Sequence, residues 1–331
     1  MKRIDDWRPT ATLQVLKLRA RLLECIRAFF SERGVLEVET PILSGAATTD
    51  PALTSLVTRY VGPLFPHGQT LYLHTSPEFP MKRLLAGGSG SIYQIGKVFR
   101  DGESGRLHNP EFTLLEWYRT GFDHRRLMTE TAELVMQLLA PHMPLDPPER
   151  LSYREAFQDH AGIDPHTATA GDFAAVARTH RINVPRDLLA HNDLAIWRDL
   201  LLTHVIEPKL GRGRLTFLLD YPASQASLAR ILPGDPPVAA RFELYLNGIE
   251  LANGFHELAD PGEQRTRFER QLHARAASGL TLVPLDERLL AALEHGLPDC
   301  SGVALGFDRL VMIAVGARSL ADVIAFPVDR A

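Results

Sequence analysis

The sequence has little cysteine and no long hydrophobic segment. Its two cysteines, Cys25 and Cys300, form no CxxC pair and cannot build a disulfide framework, so we expect two small buried residues in a protein of the reducing cytoplasm. No stretch approaches the roughly 20 apolar residues of a membrane-spanning helix. The first residues, MKRIDDWRPT, include acids and a proline before any apolar run, so no export or anchoring signal is expected.

The chain also lacks an excess of basic charge and the common nucleotide-binding motifs. The formal net charge is -4, which gives no basic footprint for nucleic acid and lowers, without excluding, the expectation of an RNA partner. There is no P-loop, no GxGxxG after a strand, no HExxH and no Cys/His cluster with metal-ligand spacing. With 45% hydrophobic and 23% charged residues, the 331-residue chain still has the composition of a soluble globular protein.

Hydrophobic periodicity and turn residues predict both helices and strands. Apolar residues at helical spacing predict a helix from Leu13 to Phe30, which Gly34 ends, and then a strand at residues 35–38. The other predicted elements are a helix starting at Ser76, a hairpin of residues 92–100 with 111–118, a helical insertion at about 150–215, a hairpin turning at Asn247-Gly248, and a strand from Gly302 into a helix at 310–315.

Two acids on the second hairpin form a candidate metal site. If Asn247-Gly248 is a two-residue turn, Tyr245 faces Glu250 and Glu243 faces Ala252, so Glu243 and Glu250 are diagonal neighbours on one face. Diagonal side chains lie roughly 7 to 8 Å apart, within reach of a bridging cation. Mg2+ held by one or two acids and substrate phosphates is the natural partner. Two solvated acids on an open sheet face are the alternative.

The strand after Glu250 carries further polar groups, but on the opposite alternation. Asn253, Phe255 and Glu257 share a face with one another, and with Glu250 only if the strand slips by one residue. A bulge at residues 252–254 would bring all four onto one face, since a glycine inside a strand often marks a bulge. An acid beside an aromatic ring suits an ammonium group, although Phe255 taken singly is more often a core residue.

The first hairpin ends in groups that do not suit an apolar core. Arg100 ends one strand, and Phe112, Glu116 and Tyr118 share a face of the other. An aromatic ring suits a flat base, an arginine suits a phosphate, and an acid with a phenol suits an amine. For each residue alone, a surface salt bridge or a core position remains the alternative.

Three more residues add polar groups to this candidate site. His108 and Asn109 lie in the loop of the first hairpin and provide hydrogen-bonding groups. Arg309 follows Gly306-Phe307-Asp308 at the start of a predicted helix, where backbone amides and the helix dipole favour an anion.

Together these segments resemble the three motifs of the class II aminoacyl-tRNA synthetases, and specifically the lysyl branch. Motif 1 resembles the helix into Val35-Leu-Glu-Val-Glu-Thr-Pro41, motif 2 resembles residues 99–118, and motif 3 resembles Gly306-Phe-Asp-Arg309. The resemblance implies an α+β fold with a six-stranded antiparallel sheet flanked by helices. It also implies a single catalytic domain over residues 1–331 and a homodimer formed through motif 1.

One branch of this family resembles the chain most. Lysyl-tRNA synthetases carry an anticodon-binding barrel before motif 1, whereas only about a dozen residues precede the motif 1 helix here, so no anticodon-binding domain is expected. This organisation resembles the synthetase paralogues that activate (R)-β-lysine with ATP and attach it to a lysine side chain of elongation factor P. Three blocks resemble the paralogues' version: residues 75–78, 221–229 and 299–306, with Ala304 where synthetases usually have glycine.

The resemblance implies a role for each site residue. Arg100 would contact the ATP α-phosphate and the attacking carboxylate, Arg309 the γ-phosphate, and both would be catalytic. Glu243 and Glu250 would hold Mg2+. The other implied ATP-binding residues are Asp101, Gly102, Glu103, His108, Asn109, Phe112, Glu250, Leu251 and Gly306. The implied amino-acid pocket comprises Ser76, Pro77, Glu78, Glu116, Tyr118, Asn253, Phe255, Glu257 and Ala304.

Within that pocket the resemblance assigns the two amines of the substrate to different acids. Glu78 would bind the amine nearer the carboxylate, and Glu116, Tyr118 and Glu257 the distal ammonium. One departure concerns motif 2, where the family has Asn-Glu after the arginine and this chain has Asp101-Gly102-Glu103. Glu103 replaces the missing glutamate only if the loop shifts.

The implied reaction is in-line attack of the substrate carboxylate on the α-phosphorus, which gives an aminoacyl adenylate and pyrophosphate, followed by attack of an acceptor nucleophile. Positioning and charge neutralisation do most of this work, and no covalent enzyme nucleophile is required.

Two alternatives to this function stay open. A minimal synthetase charging a tRNA or another carrier should show a basic surface, and an inactive regulatory paralogue should have lost Arg100, Arg309, Glu243 or Glu250, which are all present.

Overall fold

The structure, a computed structural model, describes residues 7–185, 188 and 193–331. The α-helices with described bounds are α1 (Leu13–Glu32), α2 (Glu78–Ala86), α3 (His124–Leu139), α4 (Tyr153–Ala161), α5 (Ala170–Thr179), α6 (Leu194–Leu201), α7 (Pro261–Ala277), α8 (Glu287–His295) and α9 (Phe307–Ala314). The strands are β1 (Leu36–Glu37), β2 (Leu43–Ser44), β3 (Val57–Gly62), β4 (Phe65–Leu73), β5 (Ile92–Phe99), β6 (Glu111–Thr120), β7 (Asp146–Ser152), β8 (Arg214–Pro222), β9 (Ile231–Leu232), β10 (Val238–Leu246), β11 (Ile249–His256) and β12 (Cys300–Gly306).

Helix α1 forms where the periodicity predicts it. Thr12 caps its start, since the Thr12 hydroxyl accepts a hydrogen bond from the Val15 amide. Its apolar stripe, which includes Ile26 and Phe29, is buried within the chain. Gly34 ends the helix in a left-handed conformation (φ +63°) that glycine adopts without steric cost. Cys25 lies beside the stripe and is exposed, so the expectation of two buried cysteines is wrong for Cys25 and holds only for Cys300.

One compact unit comprises Met1–Gly121 with Ala259–Ala331. In it β6 pairs antiparallel with both β5 and β12, and β1 adds a short parallel strand beside β5. A separate antiparallel sheet has the order β2, β4, β3. The register pairs Ile92 with Tyr118 and Val98 with Phe112, which confirms the predicted first hairpin.

The second compact unit comprises Phe122–Leu258. In it β10 pairs antiparallel with β8, β9 and β11, and β7 runs parallel to β8. Helices α4 to α6 lie in the segment where the sequence predicts helical character. Their core is rich in aromatic residues, among them Tyr153, Phe157, Phe173, Trp197 and Tyr221.

The turn between β10 and β11 matches its sequence signal. Asn247 (φ 53°) and Gly248 (φ 72°) both have positive φ angles, as a type I′ hairpin turn requires. A Cβ atom on Gly248 would lie 3.2 Å from the carbonyl oxygen of Glu207, so the position has little room for a side chain. The predicted second hairpin is therefore confirmed.

The α+β fold class is confirmed, with one addition. Antiparallel pairing joins β5, β6 and β12 in the first unit and β8, β10 and β11 in the second. The parallel strands β1 and β7 were not expected in a purely antiparallel sheet. Within the described ranges, no helix combines the length and the apolar character needed to cross a membrane.

Candidate active site

The predicted site residues form one set in each unit. In the first unit, Glu116 on β6 is the centre of a buried polar group. The Ser76 hydroxyl donates to Glu116 Oε2 at 2.7 Å, and the Tyr118 hydroxyl donates to Glu116 Oε1 at 2.7 Å. Glu116 is only 2% exposed. Because both oxygens accept hydrogen bonds, this buried carboxylate is held in one orientation.

Strand β12 leaves space beside that carboxylate. Its residues Gly302, Ala304 and Gly306 are the Cα partners of Tyr118, Glu116 and Leu114. Paired residues point to the same side of a sheet, so this face of β12 carries no side chain larger than a methyl group. The small residues therefore leave Glu116 without a large side chain opposite it on β12.

Helix α2 places Ser76 and Glu78 near the same sheet. The helix begins at Glu78, two residues after the predicted start at Ser76, and the Ser76 hydroxyl accepts a hydrogen bond from the Glu78 amide at 3.0 Å. Lys82, one turn further on and 2% exposed, donates to Glu78 Oε1 at 2.7 Å. The sequence analysis missed Lys82, although the Glu-Lys spacing of four residues was a visible signal.

The motif 2 loop brings together three residues assigned to ATP. The guanidinium carbon of Arg100 lies 5.0 Å from the centre of the Phe112 ring, and Arg100 Nη1 lies 3.4 Å from Glu103 Oε1. Gly102 has φ +78°, where a glutamate would be strained. The glutamate thus stands one position later than in the family pattern and reaches Arg100 from there.

Arg309 lies in the first turn of α9 and contacts the same loop. Its Nη2 atom lies 3.0 Å from Nε2 of His108, and its Nε donates to the Leu107 carbonyl oxygen at 3.4 Å. Partial burial, and then the charge of Arg309, lowers the pKa of His108, so its ring is neutral near pH 7 and accepts the hydrogen bond from Arg309. Asn109 instead bonds the backbone at both ends of its amide, to Glu111 and Val328.

Asp308 fixes the start of α9, a role that the sequence analysis missed. One carboxylate oxygen accepts from the Thr113 amide of β6 at 2.8 Å, and the other lies 2.6 Å from Nη1 of Arg19 on α1. Motif 3 is thereby joined to motifs 1 and 2 through one buried carboxylate. Such contacts between distant parts of the chain have no local sequence signal.

In the second unit, a bulge sets the register of the second hairpin. Tyr245 pairs with Glu250, but Leu244 pairs with Ala252, so Leu251 is the extra residue. Glu243 therefore faces Asn253 and not Ala252, and the bulge lies just before the predicted residues 252–254. As a result Glu243, Glu250, Asn253 and Phe255 share one face.

Glu243 is surrounded by hydrogen-bond donors. The hydroxyls of Tyr221 and Tyr245 both donate to Oε2, and Arg241 Nη2 donates to Oε1 at 2.6 Å. Burial, and then the charge of Glu243, raises the pKa of both tyrosines well above its usual value, so their hydroxyls stay protonated. Arg241 and Tyr245 alternate with Glu243 and could have been found from the sequence, whereas Tyr221 could not.

Glu243 and Glu250 are the residues predicted to hold Mg2+. Glu243 Oε1 keeps a second lone pair beside its bond to Arg241, and Glu250 is partly exposed. Within the described ranges, no three His, Cys, Asp or Glu side chains gather closely enough to hold a metal alone. A cation here would complete its shell with phosphate and water oxygens, as Mg2+ commonly does.

Glu257 lies directly after β11 and is 1% exposed. Its backbone forms an isolated bridge with Ala229, and its carbonyl oxygen accepts from Arg230 at 3.5 Å. Residues 221–229, one of the blocks that resemble the paralogues, therefore hold the backbone of Glu257 in place.

Comparison with known proteins identifies the family. The model of class II tRNA synthetases (D, K and N) matches residues 1–330, and the chain belongs to that family. Among curated relatives, the elongation factor P (R)-β-lysine ligase of Yersinia enterocolitica is 52% identical over 331 residues, and that of Klebsiella pneumoniae strain 342 is 51% identical over 331 residues. The ligase of the same name from Salmonella gallinarum is 52% identical over 332 residues.

Each of these alignments covers 100% of both chains. The predicted family and the prediction of an ATP-dependent ligase are confirmed.

Proposed function

We propose that this protein activates (R)-β-lysine with ATP and transfers it to a lysine side chain of elongation factor P. Full-length identity of about half to ligases of that name supports the substrate and the acceptor. The observation that carries the proposal within the site is the buried Glu116 carboxylate, held by Ser76 and Tyr118 beside a strand of small residues. Such a carboxylate suits a substrate ammonium group.

The first step is formation of the β-lysyl adenylate. Arg100 binds the α-phosphate and the substrate carboxylate, Arg309 binds the γ-phosphate, and Phe112 stacks on the adenine ring. The carboxylate oxygen attacks the α-phosphorus in line, the bond to the β-phosphate oxygen breaks, and pyrophosphate leaves. The fixed positive charges of the arginines stabilise the charge that develops on the phosphates.

Glu243 and Glu250 are the proposed Mg2+ ligands. Bound there, the cation neutralises phosphate charge and polarises the phosphoryl group. Tyr221, Tyr245 and Arg241 keep the Glu243 carboxylate oriented, and a metal bound there would share Oε1 with Arg241.

Recognition of the diamino acid uses acids in both sets. In the first unit, Glu78 binds the amine nearer the carboxylate, and Glu116 with Tyr118 binds the distal ammonium. Asn253, Phe255 and Glu257 keep the role of amino-acid ligands that the family resemblance gives them. The ε-amine of the acceptor lysine then attacks the adenylate carbonyl carbon, AMP leaves, and an amide bond forms.

We also propose a cytoplasmic homodimer formed through motif 1. The apolar stripe of α1 is buried within the chain, so it no longer supports the dimer. Support comes from exposed Leu36, Ile42 and Leu43 after α1, beside a groove lined by residues 39–43 and 94–97. A monomer at micromolar concentration in sedimentation would contradict this proposal.

Pyrophosphate exchange across the lysine isomers tests the activation step. We expect ATP-dependent exchange with (R)-β-lysine to exceed that with (S)-β-lysine and with L-α-lysine. Exchange with none of the three, or equal exchange with an amino acid that has no side-chain amine, would overturn the proposal.

A further inference from the structure

The Arg241 side chain contacts residues that the proposed function assigns to different tasks. Its Nη2 donates to Oε1 of Glu243 at 2.6 Å, and its Nε donates to Oδ1 of Asn253 at 3.3 Å. Its Nη1 donates to the main-chain oxygen of Gln225 at 3.0 Å. One guanidinium group therefore connects a proposed metal ligand, a proposed amino-acid ligand and the loop that precedes β9.

Two aromatic rings complete this environment. The guanidinium carbon lies 4.4 Å from the ring centre of Tyr221 and 6.0 Å from that of Phe255, both within the range of cation–π attraction. The Arg241 side chain is 17% exposed. Burial alone would lower the pKa of Arg241, but Glu243 together with Tyr221, Glu250 and Tyr245 more than offsets this, so the group stays charged.

The contacts of Arg241 lie close to the bulge at Leu251. A bulge interrupts the ladder and leaves one residue of the longer strand without a partner. Glu250 lies on one side of the bulge, and Asn253 and Phe255 lie on the other. Arg241 is the Cα partner of Phe255 and reaches along β10 to Glu243, the Cα partner of Asn253, so its contacts lie on the Asn253 side of the bulge.

We propose that Arg241 is a positioning residue that holds Glu243, Asn253 and Phe255 in one arrangement, so that the diamino acid meets a preformed set of side chains. This inference rests on the proposed function, which assigns Asn253 and Phe255 to the amino acid. A planar guanidinium donates in several fixed directions, whereas a lysine ammonium is a compact charge on a flexible stem. Arg241→Lys thus keeps a charge opposite Glu243 and loses the simultaneous contacts with Asn253 and Gln225.

The test compares Arg241→Lys, Arg241→Ala and Arg241→Met with a matched control. Arg214→Lys on β8 is the control, because Arg214 is 41% exposed and its side chain forms an exposed ion pair with Asp146. Calorimetry with (R)-β-lysine is done on enzyme without ATP or Mg2+, and pyrophosphate exchange gives KM for each substrate. For Arg241→Lys we expect about 10- to 100-fold weaker (R)-β-lysine binding, the range for losing hydrogen bonds from a charged group, and a smaller change in KM for ATP.

Guanidinium ion added to the variants distinguishes a positioning role of Arg241 from a general effect on stability. Arg241→Ala leaves space for the ion, so millimolar guanidinium should restore part of the (R)-β-lysine affinity. Arg241→Met fills that space and should not respond. If Arg241→Ala does not fold, the Arg241→Lys comparison decides alone.

Two failures are distinguishable. A wild-type enzyme without exchange on any lysine isomer would overturn the proposed function, and this inference with it. A wild-type enzyme that exchanges, together with a folded Arg241→Lys variant of equal (R)-β-lysine affinity and KM, would overturn the role of Arg241 alone.

Discussion

The Ser76 hydroxyl and Glu116 Oε2 lie 2.7 Å apart, which joins the residue before α2 to the middle of β6 across 40 positions of the chain. The same serine accepts the Glu78 amide, so one hydroxyl orients both the buried carboxylate and the start of the helix. A buried carboxylate costs several kcal/mol unless it is paired or hydrogen bonded. Its position on β6, opposite the small residue Ala304 of β12, indicates a site that suits a cation.

Removing that hydroxyl should weaken recognition of the amino acid. For Ser76→Ala we expect kcat/KM for (R)-β-lysine to fall about 10- to 100-fold, because a hydrogen bond to a charged group is lost. KM for ATP should change little in pyrophosphate exchange. Ser89→Ala is the control, since Ser89 is partly exposed and its hydroxyl donates to the neighbouring Gly90 carbonyl oxygen. Equal losses for both substrates would contradict a role in the amino-acid pocket.

Removing the charge of Glu257 should weaken activation of the amino acid. Glu257→Gln keeps the shape of this buried residue and removes its charge, so activation of (R)-β-lysine should lose on the order of 2 to 5 kcal/mol, as when one member of a buried charge pair is removed. ATP binding, measured by calorimetry, should survive. Glu263→Gln on α7 is an exposed control, where no loss is expected. Normal exchange by Glu257→Gln with (R)-β-lysine would refute this assignment.

The rate of pyrophosphate exchange should depend on the planar shape of the Arg100 side chain as well as on its charge. Arg100→Lys keeps the charge but loses the planar fork over Phe112, and we expect kcat for pyrophosphate exchange to fall about 100-fold or more. Arg106→Lys, in the same loop and exposed, should retain nearly full activity. If both variants keep wild-type kcat, Arg100 does not contact the reacting phosphate.

Elements that depend on local sequence patterns could be predicted, and features that depend on contacts distant in the sequence could not. The α1 stripe, the Asn247-Gly248 turn and the β5–β6 alternation are local patterns, and all three elements formed as predicted. The bulge at Leu251 was misplaced by one or two residues because the choice between neighbouring bulge positions depends on packing across strands. The parallel pairings of β1 and β7 depend on contacts distant in the sequence and gave no local signal.

The partners of the site residues were harder to find than the residues themselves. Acids and arginines stand out in motifs, but Tyr221 reaches Glu243 from a different strand, and Arg19 reaches Asp308 from α1. The exposed position of Cys25 was also missed, since a small residue beside an apolar stripe fits either environment. These outcomes are decided by tertiary packing.

His124, the first residue of α3, makes stability depend on pH. Burial, followed by the charge of Arg125 and by His256 at a ring distance of 6.2 Å, lowers its pKa from 6.5 to about 4. Between these values the unfolded chain binds a proton that the folded chain does not, so stability falls as pH falls from about 6.5 to about 4. At about 1.4 kcal/mol for each pKa unit, the loss is at most about 3 to 4 kcal/mol.

The measurement is the free energy of unfolding in urea at pH 7, 5.5 and 4.5. His124→Leu should lose less stability over this range than the wild type. His67→Leu, at an exposed site on β4, should follow the wild type. A His124→Leu variant with the wild-type pH dependence would show that His124 is not responsible.

The most direct test of the central claim is transfer of the activated amino acid to its acceptor. The enzyme is incubated with ATP, Mg2+ and labelled (R)-β-lysine in the presence of both purified elongation factor P and total tRNA, and mass spectrometry with filter binding locates the label. We predict that the label appears on one lysine side chain of elongation factor P and not on tRNA. Label on tRNA alone, or an adenylate that transfers to neither, would contradict this account.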